Sequence, residues 1–282
     1  MALDIMAVVL LGAVLHAAWN TLVRRAADKF LDTVLMLGGA GLVTAVLLPA
    51  LPLPATESWP YLAASVLIHI IYFSFVALAY HGAELSFAYP VMRGSAPVFS
   101  AIAVALLLNE TPAPGGWLGI LLVSGGVLLL AVDSWHSGKL RKGPALLALA
   151  NAGVIAVYTL VDGQGARLSG HAFSYTGWMF LLTAALMFGF ALALRGRRLI
   201  SHVRQGWQRG LAGGASTLAS YGLALWAMTQ APIAMVAALR ETSVVFATIL
   251  AAIFLAEPVT RLRVVSIMIV VTGAVAIKIF QP

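Results

Sequence analysis

Ten runs of about 20 apolar residues, parted by short polar breaks, constrain this chain more than any other feature. A helix of that length matches the hydrocarbon thickness of a bilayer and satisfies its own backbone where no water can. The runs lie at about 3–23, 33–53, 60–80, 86–108, 115–133, 144–162, 173–194, 209–229, 233–256 and 261–280. They are apolar on every face and rich in Leu, Ala and Val, which predicts helices and excludes the alternating strands of a transmembrane barrel. A hydrophobic fraction of 61% against 10% charged residues agrees, so the chain reads as an all-α membrane protein. The first run carries Asp4 where a signal peptide would be basic, and is expected to stay as a helix.

In a soluble protein a formal charge of +7 would suggest a nucleic-acid partner; here the placement of the cations accounts for it. Thirteen of the 17 Lys and Arg residues fall on the side of the connections after the first, fifth, seventh and ninth spans, and two fall on the other side. The positive-inside rule then predicts an inner (plasma) membrane protein with both termini non-cytoplasmic and no nucleic-acid partner. With no cysteine there is no disulfide or thiolate metal site, and neither a metal nor a cofactor is expected. No G-x-x-x-x-G-K-[ST] string occurs, so any work done would draw on a gradient.

Shifting the sequence by 147 residues lays "ALAYHGAELSFAYPVMRGSAPVFSAIAVALLLNETP" over "ALWAMTQAPIAMVAALRETSVVFATILAAIFLAEPV" without a gap. Arg93 meets Arg240, Glu110 meets Glu257 and Gly126 meets Gly273. Apolar matches are cheap in such a chain, and the charged ones carry the weight. A repeat of five spans begins its second copy on the opposite face, which predicts two inverted five-helix repeats, 1–138 and 139–282, around a central cavity. Such a duplication is transporter architecture.

The stretches "LLGAVLHAAWNTLVRRAADK", "YPVMRGSAP", "AVYTLVDGQGARLSG" and "LWAMTQAPIAMVAALRETSV", with the "NETP" and "AEPV" helix ends, resemble the EamA family of the drug/metabolite transporter superfamily over essentially the whole chain. The resemblance implies ten helices, with the third, fourth, eighth and ninth spans, helped by the first and sixth, around the cavity. It also implies a metabolite as cargo.

Arg93 and Arg240 stand where lipid tolerates no lone cation, at a cost of at least ~2.5 kcal/mol each, so both must face the protein interior or a wet cavity. One reading is a structural lock, with Glu241 neutralising an arginine. Two cations and one anion leave a remainder, however, and a free guanidinium fork suits a carboxylate or phosphate. Ser95, Thr242 and Ser243 add hydroxyls, and Glu241 suits a substrate ammonium or a coupling proton. His16, Trp19 and Asn20 in the first span, His69 and Tyr72 in the third, Tyr158 in the sixth and Tyr221 in the eighth read singly as packing residues and together as cavity lining. Histidine adds a proton-relay option, hence proton coupling. Glu110 and Glu257 read as structural helix ends, each binding the amides of the helix that follows. Asp162 is placed at a helix end before glycines, as a partner for Arg167. Pro90 and Pro97 predict a bend in the fourth span, whereas the ninth has no internal proline.

These features favour a secondary transporter that moves a small anionic or amphoteric, amino-acid-like metabolite by alternating access across the bilayer. A flippase or facilitator for an anionic, lipid-linked metabolite is the alternative. A membrane enzyme using Glu241 with His16 or His69 as acid and base is disfavoured, since the chain lacks the clustered loop carboxylates and histidines such enzymes use.

Overall fold

The computed structural model describes residues 1–24, 28–82, 85–135, 142–255 and 259–280. These residues form helices α1 (Leu3–Arg24), α2 (Lys29–Leu47), α3 (Trp59–Gly82), α4 (Leu85–Leu108), α5 (Pro114–Trp135), α6 (Lys142–Leu168), α7 (Ala172–Arg195), α8 (Arg197–Gln230), α9 (Ile233–Arg240), α10 (Ser243–Leu255) and α11 (Arg261–Phe280), with two 3-10 turns before α3 and no strand. Eight stretches among them are long and apolar enough to cross a membrane. Asp28 starts α2 by accepting the Leu31 amide on its side chain. His171 does the same for α7 through the Ser174 amide.

Three departures from the sequence reading matter. The run at 233–256 is not one helix: it stops after Arg240 and restarts at Ser243, with i to i+3 backbone bonds (Glu241 to Ala238, Thr242 to Leu239) through the break. α8 begins at Arg197, a dozen residues before the predicted apolar run, because a basic amphipathic segment continues the same helix outward. α6 runs on past Asp162 to Leu168, so that residue lies inside a helix and not at its end.

Lipid supplies no hydrophobic drive between helices, and small residues let the backbones come close instead. α2 and α8 cross where a Cβ on Gly39 would sit 2.0 Å from the Gly210 carbonyl oxygen and one on Gly214 would sit 2.3 Å from the Ala40 amide. α5 and α11 pair in the same way. A Cβ on Gly126 would meet the Ser266 carbonyl and the Val270 amide, and one on Gly273 would meet the Gly119 carbonyl and the Val123 amide. α4 packs on α5 and α6, α3 on α6, and α1 on α8 and α10. This leaves the inward faces of α1–α4 and α6–α9 around one space.

Candidate functional site

That space is a cavity with about 90 Å³ open to water centres, far above the ~10–15 Å³ one water needs. Of the residues singled out from sequence, His16, Trp19, His69, Tyr72, Arg93, Tyr158, Tyr221 and Arg240 line it. α2, α7 and α8 add Thr33, Met36, Phe180, Thr183, Thr217 and Ser220, a mixed wall that no sequence pattern marked.

The aromatic residues meet as one cluster. The His69 ring lies 4.7 Å from that of Tyr158 and 6.1 Å from that of Tyr221, and Tyr72 stands edge-on to Tyr158 at 5.6 Å. His69 is anchored within α3, its Nδ1 2.9 Å from the Ser65 carbonyl oxygen. On α1, the Trp19 indole donates to His16 Nδ1 at 3.3 Å. Asn20 spends its amide on the His16 carbonyl at 3.0 Å. It does not line the cavity, and neither do Ser95 and Thr242. Ser95 is buried in α4, and the Thr242 hydroxyl donates to Leu239 O at 2.7 Å, inside the helix break.

The two arginines differ. Arg93 is 5% exposed, and its Nε lies 2.9 Å from a carboxylate oxygen of Glu241, itself 3% exposed. The pair is close without the alignment of a hydrogen bond, and among the described residues Arg93 Nη2 has no hydrogen-bond partner. Arg240 ends α9, where the interrupted helix turns its guanidinium toward the cavity and over the Tyr221 ring, 4.9 Å from the centroid. Among the described residues no carboxylate pairs with it.

The charge balance needs a correction. Asp162 is fully buried, and it does not meet Arg167. Its carboxylate accepts hydrogen bonds from Tyr175, at 3.2 Å, and from Tyr221. With Asp162 counted, the charges of this region number two of each sign, three of them buried and Arg240 half-buried. Arg167 goes instead to Glu110, which follows α4. Its two Nη atoms take the two carboxylate oxygens, while Nε and Nη2 also donate to the Met228 and Ala231 carbonyls at 2.8 and 3.1 Å. Glu110 thus closes a helix end by binding an arginine rather than backbone amides. Glu257 lies outside the described residues. No group of three or more His, Asp or Glu residues suited to a metal occurs among those described.

A solved structure titled "Crystal structure of protein" is similar to this chain, with a TM-score of 0.75 at 21% identity over 98% of this chain and 96% of that one. At that identity the likeness shows the fold. No curated protein matches the sequence. The model of the EamA-like transporter family matches residues 143–279, from the start of α6 to the end of α11. Residues 143–279 of this all-helical, multi-pass membrane protein thus belong to the EamA-like transporter family, part of the drug/metabolite transporter superfamily.

Proposed function

We propose that the protein is a secondary transporter that moves a small anionic or amphoteric, amino-acid-like metabolite by alternating access, with Arg240 as the group that holds the anion. One observation carries this reading: Arg240 faces the cavity with no carboxylate partner among the described residues, while its counterpart Arg93 is occupied by Glu241. A guanidinium backed by an aromatic face keeps its fork free for a carboxylate or phosphate, and desolvation strengthens that bond. An ammonium on the same molecule would meet Tyr72 and Tyr158, which line the same cavity. Glu241, engaged by Arg93, serves to hold the site's geometry.

The proposed architecture is ten spans in two inverted repeats, 1–138 and 139–282, with α9 and α10 forming one interrupted span. The contact between α5 and α11 supports it. Gly126 approaches Ser266 and Val270, and Gly273 approaches Gly119 and Val123, which are the same positions 147 residues apart. A contact in which i meets j and j meets i is the mark of a twofold axis, and its reversed register is that of antiparallel helices. The charge bias supports an inner-membrane placement with both termini away from the cytoplasm.

The test is counterflow in proteoliposomes with radiolabelled amino acids and organic acids, comparing wild type with Arg240→Ala. The expected result is saturable exchange of at least one of these that vanishes in the variant, while size-exclusion behaviour and melting temperature are kept. Undiminished exchange in Arg240→Ala would refute the assigned role. A reporter fused to the C-terminus should be active outside the cytoplasm.

A further inference from the structure

A carboxylate fully buried in a membrane-spanning helix costs several kcal/mol unless something compensates it. Asp162 is compensated only by two phenols among the described residues, Tyr175 from α7 and Tyr221 from α8. Neither phenol carries a positive charge. The cation that meets this network is Arg240, over the face of the Tyr221 ring at 4.9 Å from the centroid. Tyr221 therefore has one face on the cavity arginine and its hydroxyl on the buried acid.

We infer that Asp162 is a proton-binding site coupled to anion binding at Arg240, with the Tyr221 hydroxyl as the path between cavity and carboxylate. The inference rests on the reading of Arg240 given above and adds the identity of the coupled ion. The coupling follows from charge. With the cavity empty of substrate, Arg93 and Arg240 balance Glu241 and Asp162. An anion docked on Arg240 leaves the region one charge too negative, and the remedy of least cost in low dielectric is one proton taken up.

Glu241 already has Arg93 at 2.9 Å, and Asp162 has no such partner. Chemically, the Tyr221 oxygen accepts a proton from cavity water while its own proton passes to Asp162 Oδ2. The hydroxide left behind takes a proton from bulk solution, so the net change is one proton in and none lost. The other titratable and charged groups facing this network are Tyr175 on α7, Tyr158 one turn earlier on α6, His69 of α3 against the Tyr158 and Tyr221 rings, and Arg240 at the end of α9. Asp162→Asn retains an oxygen to accept a phenol hydrogen bond, so it removes the titration with little loss of shape.

The decisive experiment is infrared difference spectroscopy of the full-length protein in sodium-free nanodiscs, titrated between about pH 4 and 9. A carboxylic-acid carbonyl band should rise on acidification in wild type and in Glu241→Gln over and above that of the surface carboxyls, and this component should be missing from Asp162→Asn. In Tyr221→Phe the component should remain while its deuterium exchange slows at least ~10-fold, as expected of a lost relay. Absence of the component from wild type, or its survival in Asp162→Asn, overturns the assignment. A band displaced by added sodium but indifferent to pH overturns it too, in favour of a sodium site.

A second arm adds L-glutamate in weak buffer with a pH indicator. Wild type should take up about one proton per anion bound, and Asp162→Asn should bind the anion with none. Anion binding to wild type without proton uptake also overturns the coupling. If L-glutamate fails to bind wild type, the anion reading of the cavity suffers, and the infrared band still decides Asp162 alone.

Discussion

Around Arg93 the chain runs as one helix, α4, past Pro90 and Pro97. Around Arg240, where no proline occurs, it stops at α9 and restarts as α10. The two positions stand 147 residues apart in a register that also aligns Glu110 with Glu257, yet they carry different chemistry. The difference begins with the next residue. After Arg93 comes Gly94, whose missing Cβ would lie 2.7 Å from the Leu128 side chain and 3.0 Å from its amide, so α5 presses on the helix there. After Arg240 comes Glu241, whose carboxylate reaches across to Arg93. One half thus supplies the acid that seals the other half's arginine, and its own arginine is left turned to the cavity. A duplication can give both halves a cation and still assign holding to one and binding to the other.

Several substitutions would break or sharpen this contrast. The largest effect should come from Glu241→Ala, which leaves Arg93, 5% exposed, without its counter-charge. A loss of about 3–5 kcal/mol is expected, read as a large drop in melting temperature in detergent. A variant as stable as wild type would mean that the ion pair holds nothing. Arg240→Ala should instead leave stability nearly unchanged and cut flux at least ~100-fold, equivalent to ~2.7 kcal/mol of transition-state binding.

Gly94→Ala comes third, at about 1–3 kcal/mol of stability for forcing a methyl into the α4–α5 contact. Tyr221→Phe keeps the ring under Arg240 and removes the hydroxyl from Asp162. It should cost about 1.5 kcal/mol in the same melting assay, the low end for a hydrogen bond to a charged group. The smallest effect belongs to Thr242→Val, under about 1 kcal/mol, because that hydroxyl serves only the Leu239 carbonyl beside it. If Thr242→Val instead abolished flux with folding intact, the break itself would have to touch substrate.

Much of this was legible in the sequence, and for a plain reason. A polar side chain in a run of 20 apolar residues has nowhere to go but inward, so His69, Tyr72, Tyr158 and Tyr221 declare their direction before any contact is known. The small-residue contacts that hold α2 on α8 and α5 on α11 follow the same logic. Asp162 was harder to read because Gly163 and Gly165 looked like a helix stop. In the fold they are close-packing positions, one under Ile233 and the other under the Tyr175 ring, and the helix passes through them.

The partner of Arg167 could not be read locally, since Glu110 is 57 residues away while Asp162 is five. Nothing in "LRETSV" signals a helix break, which arises where Arg240 and Glu241 turn to different partners. Thr242 shows the limit of reasoning from residue type. A hydroxyl near a site satisfies itself on the backbone as readily as on a ligand.

The grip of Arg167 has a consequence for how this molecule can move. One planar group binds the carboxylate that follows α4 and two carbonyls at the far end of α8 and just beyond it, all from a side chain on α6. Three elements drawn together by a single rigid fork cannot come away singly, because a shift of any of them misaligns the bonds to the others. Separation at this face is therefore all or none: a knot that either holds every cord or comes undone at once.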